Sequence, residues 1–512
     1  MLYCIRGVFF MLMIDKYRDK ISGILYSYDR VNIKCSAGNF HYADGMTGFF
    51  NIMGYKCFDF HKVFAPITQN IIANAEALAT ANDMNIEFIR SPKSFRKDDA
   101  IAEILKVRGE HEGFVKIWSQ METCPTYKPW FDKASGKTYF KNDMTKCKVY
   151  YFYFIDRLLG LMFVKVPTIA PFQVTVYYNG HNWLEKKLQK NDIAYQKLDN
   201  AFTYIEDWEK AQSFCDKLRV EDIHQALDIF MNKFCPLPKE WDLRYNYTIS
   251  QCEYSLDIVF KNQGELAPIY DNIVKTAMHT ITPSNIATFL GKRLTVKFEG
   301  EAGNRYNERS IGTRIKHQMG ELAVKVYDKF SKVLRIEVTA LNVSQLNAFR
   351  DVFKKDGTVE AKVAPVKKSI YSLFVLIPVF KAIIKRYLEF VFSFDDPSDG
   401  IRKLDEVTTD KKTDKKTFKG LNFFNKLDEA ILLAVSNGKF NITGLRAKNL
   451  KAVFPEFPPW KISNIFARLR HLGLIRKVTG THKYYLSALG KSVVAAALFL
   501  KRKLIVPVLA KW

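Results

Sequence analysis

Residues 323–339 read as a hairpin of two extended segments, because β-branched and aromatic residues alternate there with polar ones. Alternation sets Lys325, Tyr327 and Lys329 on one face of the first segment, and Arg335, Glu337 and Thr339 on one face of the second. Depending on register, Tyr327, Asp328, Arg335 and Glu337 then meet across the hairpin. Upstream, Glu253 and Asp257 lie four residues apart in an extended run and share one side of a neighbouring strand. Carboxylates beside a phenol and a guanidinium suit a hard divalent cation, Mg²⁺ or Mn²⁺, and a phosphodiester. On this reading Tyr327, Asp328, Arg335 and Glu337 are catalytic, and Glu253, Asp257 and Glu337 hold the metal. The plainer reading is an inert sheet in which arginine and glutamate form a salt bridge.

Gly312 to Arg314, Val326 to Lys329 and Leu334 to Glu337 form a Gly-x-Arg, a hydrophobic-Tyr-Asp-Lys and a Leu-Arg-x-Glu pattern, in that order. Over residues 250–345 the chain thereby resembles the rolling-circle replication initiation factors and relaxases of plasmids and mobile elements. Glu253 and Asp257 are similar to the earlier acidic strand of that family. The resemblance implies a nick made by a tyrosine that becomes linked to the DNA 5′ end, with a metal polarising the phosphate. The chain departs from the pattern in lacking a His-hydrophobe-His pair among its nine histidines. Whether Tyr327 attacks or only supports stays open.

A second arrangement centres on Asp156, which ends the extended run 148–156 just before a turn. The run and the segment after it resemble the first hairpin of ribonuclease-H-like nucleases. Asp199 would then be a second metal ligand, and His181, near a helix start, a general base. An acid before a turn and a histidine in a first helical turn are equally ordinary structural choices.

Residues 421–512 change pattern. Three short helices are expected at 425–436, 443–453 and 461–472, followed by a hairpin around Thr479-Gly480-Thr481. This segment resembles winged-helix domains of bacterial regulators and replication proteins. The third helix carries Lys461, Ser463, Asn464, Arg468 and Arg470, and the hairpin carries Arg476, Lys477 and Lys483. Helix in the major groove and basic wing along the backbone is a familiar docking geometry. Ser463, Asn464 and Arg468 are the expected base readers, and the remaining cations the phosphate contacts. The final helix, 488–503, suits core packing or dimerisation.

The parts that must position these groups form an α+β, multidomain chain. Its 512 residues divide into an N-terminal segment (1–45), an α+β domain (46–220) and a second, initiator-like α+β domain with a basic helical extension (221–394). A polar, mobile linker (395–420) then leads to the winged helix (421–512). No internal repeat is evident. The formal charge of +25 calls for a polyanionic partner, DNA first and RNA second. The eight cysteines include no C-x-x-C pair, as in a reduced cytoplasmic protein. No apolar run reaches the length of a membrane span. Together these features lead us to expect a DNA-binding protein of a mobile element, plasmid or phage: a replication initiator, relaxase or transposase-like nicking endonuclease. The competing classes are a non-enzymatic DNA-binding regulator and an RNA-associated, guide-binding effector. Self-association into a homo-oligomer stays open.

Overall fold

The computed structural model describes residues 14–510 apart from 15, 92, 293, 295–299, 309–312, 355, 393–397, 415, 438–439 and 441–443. Two compact units emerge, one ending at residue 393 and the other beginning at 394.

The first unit opens with β1 (Ile21–Ala37), in which Val31, Ile33 and Cys35 are buried on one face. Helices α1 (Ala43–Ile52) and α2 (Phe60–Ala81) follow. In α2, Phe60, Phe64, Ile67, Ile71, Ala75 and Ala79 repeat at three- and four-residue spacing and form its buried stripe. After β2 (Glu87–Phe88) and α3 (Lys97–Arg108) comes a meander of β3 (Gly113–Asp132), β4 (Lys137–Asp156), β5 (Gly160–Pro167) and β6 (Val174–Asn179). Next are α4 (Gly180–Lys190), the hairpin β7 (Tyr195–Leu198) and β8 (Ala201–Ile205), α5 (Trp208–Asp216) and α6 (Val220–Phe234).

A second series starts with β9 (Tyr245–Phe260), α7 (Gln263–Thr280) and α8 (Pro283–Phe289). Its meander is β10 (Ala302–Glu308), β11 (Thr313–Met319), β12 (Leu322–Lys329) and β13 (Val333–Ala340). A separate hairpin, β14 (Asn347–Phe353) and β15 (Val359–Pro365), leads into α9 (Ser372–Phe392).

Among the described residues eleven strands join in one sheet, ordered β10-β11-β12-β13-β9-β1-β6-β5-β4-β3-β2. The order is the same from either side of the β1–β9 seam: a long strand, then a four-stranded meander whose last strand returns beside it. No repeat shows in the sequence because such a plan constrains alternation and turn placement, not residue identity. The apolar face bears Leu256, Ile258, Val324, Val326, Leu334, Ile336 and Val338, all at 0% exposure. It packs under α9, where Phe380 stacks on Tyr254 and meets Tyr28 edge-on.

This corrects the expected division at residue 220. β1, expected within an N-terminal segment, is a central strand, and its antiparallel pairing with β9 runs one sheet through both expected domains. One large apolar cluster reaches from Leu25 to Phe392 through both expected domains, and a smaller one gathers Trp118, Val149 and Tyr153 among others. The apolar-polar alternation of residues 294–298, which reads as one more strand, lies, but for Leu294, outside the described residues.

Among its described residues, the expected mobile linker is built of regular elements as well. The second unit begins with α10 (Ser398–Thr408) and the hairpin β16 (Lys411–Thr413) and β17 (Lys416–Phe418). Val407, Phe418 and Leu421 are buried, so three apolar residues anchor a segment otherwise rich in charge. Then come α11 (Lys426–Val435), α12 (Ala447–Val453), α13 (Pro459–His471), the hairpin β18 (Ile475–Lys477) and β19 (Tyr484–Leu486), and α14 (Ala488–Phe499). Leu445 bridges to Tyr484, completing the small sheet of a winged helix. No helix among the described residues is long and apolar enough to cross a membrane.

Candidate functional site

The seam between β1 and β9 carries a bulge. Tyr28 pairs with Tyr254 and Val31 with Cys252, so Asp29 and Arg30 together oppose Glu253. A bulge of two residues against one re-aims side chains that strict alternation would send to opposite faces. Asp29 and Arg30 both reach the polar face here: Asp29 contacts Arg335, and the Arg30 Nε lies 3.9 Å from Glu253 Oε2.

On that face β9 supplies Glu253, Ser255 and Asp257, and β13 supplies Arg335, Glu337 and Thr339. Register pairs Lys325 with Glu337, Tyr327 with Arg335, and Arg335 with Asp257. Two clusters result. In one, the fully buried Arg335 guanidinium binds both oxygens of Asp257 (2.6 and 2.5 Å), Asp29 Oδ2 (3.0 Å) and the Asn200 carbonyl (2.7 Å). Asn179 and Asn200 donate to Asp29 at 2.7 to 3.0 Å. In the other, the Lys325 ammonium bridges Glu253 (2.9 Å) and Glu337 (2.6 Å), and the Tyr327 hydroxyl donates to Glu337 Oε2.

Oxygens of Asp29, Glu253 and Glu337, all buried, lie within 4.8 Å of one another, and this trio could hold a metal ion. Charge supports the fit. Asp29, Asp257, Glu253 and Glu337 face two cations buried among them, Arg335 and Lys325, while Lys329 is answered by Asp199 at 3.3 Å. With Arg30, 3.9 Å from Glu253, counted as a third cation, the four carboxylates keep a surplus of one negative charge, which an added cation would answer. Burial raises the Glu253 carboxyl above its ordinary range, Glu337 raises it further, and Lys325 offsets this only partly. Burial also acts to raise Asp257 and Asp29, but the Arg335 guanidinium overrides it, holding Asp257 at about 2 and Asp29 well below the ordinary range. Glu253 is thus the carboxylate that gains most from an added cation.

Several expected site residues take other places. Asp257 is committed to Arg335, and Asp29 replaces it in the metal trio. Alternation sends Asp328 to the other face from Tyr327, opposite Leu334, where burial raises its carboxyl. Asp156 accepts the backbone N–H groups of Leu158 and Leu159 (2.8 and 2.9 Å) and closes the β4–β5 turn. Asp199 sits at the rim, its side chain 74% exposed, paired with Lys329. His181 is fully buried. A guanidinium only donates, so His181 Nε2 accepts from Arg335 (3.1 Å). It orients Arg335 and is not placed as a general base. Burial and then Glu337 push the Tyr327 phenol well above its ordinary range, so its proton leaves only toward an acceptor such as Glu337. Sequence reasoning misses Asp29 because only pairing across more than 200 residues brings it in; the alternation through residues 24–35 is the available signal.

In the second unit, Ser463, Arg470, Arg476 and Lys477 are exposed, while Lys461 and Lys483 are half-buried, Lys461 over the Phe457 ring at 3.6 Å. Arg468 grips both oxygens of Asp428 (2.6 and 2.8 Å) and the carbonyls of Lys419 and Gly420 (2.7 and 2.6 Å). It staples α13 to α11 and is not placed to read bases. Asn464 accepts from Lys416 at 2.7 Å. Gly312, of the Gly-x-Arg motif, lies outside the described residues. Compared with protein-family models, curated proteins and solved structures, the chain matches none.

Proposed function

We propose that this chain is a DNA-binding nuclease that cuts one strand at the carboxylate pocket and engages its site through the winged helix. The observation that carries the reading is the trio Asp29, Glu253 and Glu337, buried on the polar face of a strongly basic protein. Three carboxylate donors favour a hard ion, Mg²⁺ or Mn²⁺. Bound there, such an ion supplies Lewis-acid polarisation of a phosphate oxygen. Tyr327 is the attacking group: its oxygen bonds to phosphorus, its proton passes to Glu337, and the 3′ oxygen leaves. The leaving oxygen takes a proton from water, so the products are a 5′-phosphotyrosyl strand and a free 3′ hydroxyl. Arg335 positions Asp29, and Lys325 is the nearest cation for the phosphate.

Basic groups flank the pocket along the same face. Burial lowers the Lys316 ammonium, and Lys325, Arg305 and Arg314 lower it further; on the other side Lys34 is lowered by burial and by Lys165 and Lys368. Crowded cations of this kind gain by meeting a phosphate backbone. The exposed Ser463, Arg470, Arg476 and Lys477 would meet duplex DNA.

The test is incubation of supercoiled plasmid and of single-stranded oligonucleotides with Mg²⁺ or Mn²⁺. Nicking is expected, with a covalent protein–DNA product that Tyr327→Phe abolishes, and loss of cleavage by about two orders of magnitude or more in Glu337→Ala. Cleavage that survives both substitutions would sink the site. Salt-sensitive DNA binding without cleavage would mark a regulator, and RNase-sensitive nucleic acid bound to the purified chain would mark an RNA effector.

A further inference from the structure

The hairpin β14–β15 stands apart from the large sheet as a two-stranded sheet of its own. Its register pairs Phe349 with Val363 and Phe353 with Val359. Positions 349, 351 and 353 alternate onto one face, so these four side chains share it. They are 71%, 68%, 67% and 52% exposed in the order Phe349, Val363, Phe353, Val359, and Phe374 at the start of α9 is 60% exposed. At the hairpin's base lies a groove of about 830 Å³ lined by Phe349, Val363, Phe374, Pro378, Leu290 and Leu346, among others.

We propose that this hairpin face and groove form the surface through which two copies of the chain associate. Three phenylalanines of about 200 Å² each and two valines, at these exposures, amount to roughly 600 Å² of apolar area. That is at the upper end of what a monomer leaves uncovered. With the groove lining added, it approaches the ~800 Å² per partner of an ordinary stable interface.

The shape selects a second copy over other occupants. The surface carries both a projection, the tip with Phe353 and Val359, and a recess. A two-fold contact lets each copy's tip enter the other's groove, the reciprocal fit of an isologous dimer. A bilayer is flat and would leave the recess unfilled. The surrounding charges are mixed: Glu360 pairs with Lys354 (3.2 Å) and Lys362 (2.9 Å), and Asp351 lies beside Arg350. Acids set among these cations make the patch less attractive to phosphate or an anionic membrane, and less repulsive between two copies of a +25 chain, than an all-basic surface would be.

The full chain, in sedimentation equilibrium over a wide concentration range, is expected to show the mass of two copies. Phe349→Asp and Phe353→Asp should each weaken the dissociation constant by about 100-fold. Their circular dichroism and melting should match the wild type because both side chains are exposed, and Phe353→Leu should keep the dimer. A single-chain mass at every concentration, or a dimer indifferent to both aspartate variants, would overturn the proposal. So would a monomer that binds phosphatidylserine vesicles through Phe349 and Phe353.

Discussion

Each half of the large sheet sets a glutamate between a lysine and a tyrosine, and the two settings differ in what surrounds them. In the first half, Glu122 accepts from Tyr151 and from Lys165 at 2.5 Å. In the second, Glu337 accepts from Tyr327 and from Lys325 at 2.6 Å. Both lysines lie on the third strand of their meander. Around Glu122 one lysine meets one carboxylate: burial acts to raise its carboxyl, and Lys165 and Tyr151 override it, so the group stays low. Around Glu337 the same lysine serves two glutamates, and burial together with the Glu337 charge pushes the Glu253 carboxyl up. A salt bridge and a candidate metal pocket can share residue types and the strand position of the lysine; surplus carboxylates distinguish them.

The largest expected effect tests whether the second half depends on buried charge as the first does not. Arg335→Met leaves Asp257 and Asp29 without their cation in a fully buried place and should cost about 3–5 kcal/mol in urea unfolding. Lys165→Met, at a partly exposed pair, should cost about 1 kcal/mol or less. Equal losses would break the comparison. Next is metal linkage: Mn²⁺ at about a hundred times its dissociation constant should stabilise the wild type by about 2.7 kcal/mol. Glu337→Gln should lose that response in thermal melts, and Glu122→Gln should keep it.

Gly180 sharpens the contrast at the level of backbone. It starts α4 where β6 ends, and a Cβ there would lie 2.1 Å from the Tyr28 carbonyl oxygen, beside the bulge that re-aims Asp29. Gly180→Ala should cost at least about 2 kcal/mol and weaken metal binding as well, read from the same melts. The smallest effect concerns Glu253. A carboxyl raised on folding contributes stability that is complete below the ordinary glutamate range and is lost as pH rises through the raised value. Metal-free Glu253→Gln should therefore exceed the wild type by about 1 kcal/mol at neutral pH, with the difference vanishing in acid. Asp257, held at about 2, gives the opposite slope, its contribution disappearing as pH falls through that value.

Much of the second half is legible in the sequence. The hairpin and the shared faces of Lys325, Tyr327, Arg335 and Glu337 are readable from alternation, while the register that pairs Tyr327 with Arg335 comes from the structure. The order of helices and wing in the second unit is readable too. Arg468 is misjudged because an exposed-looking arginine on a third helix gives no sign that Asp428 waits on the first. Asp328 is misjudged because adjacency in sequence is separation across a strand.

By itself the sequence determined the α+β class, the basic character, the winged-helix pattern and one wall of the pocket, since these depend on local periodicity and composition. Only the tertiary structure decided that Asp29 completes the pocket, that Asp257 belongs to Arg335, and that one sheet spans what looked like two domains. Those outcomes rest on pairing between β1 and β9 and on a one-residue bulge. Long-range register of that kind is chosen by how the whole apolar face packs, and no local stretch of residues encodes it.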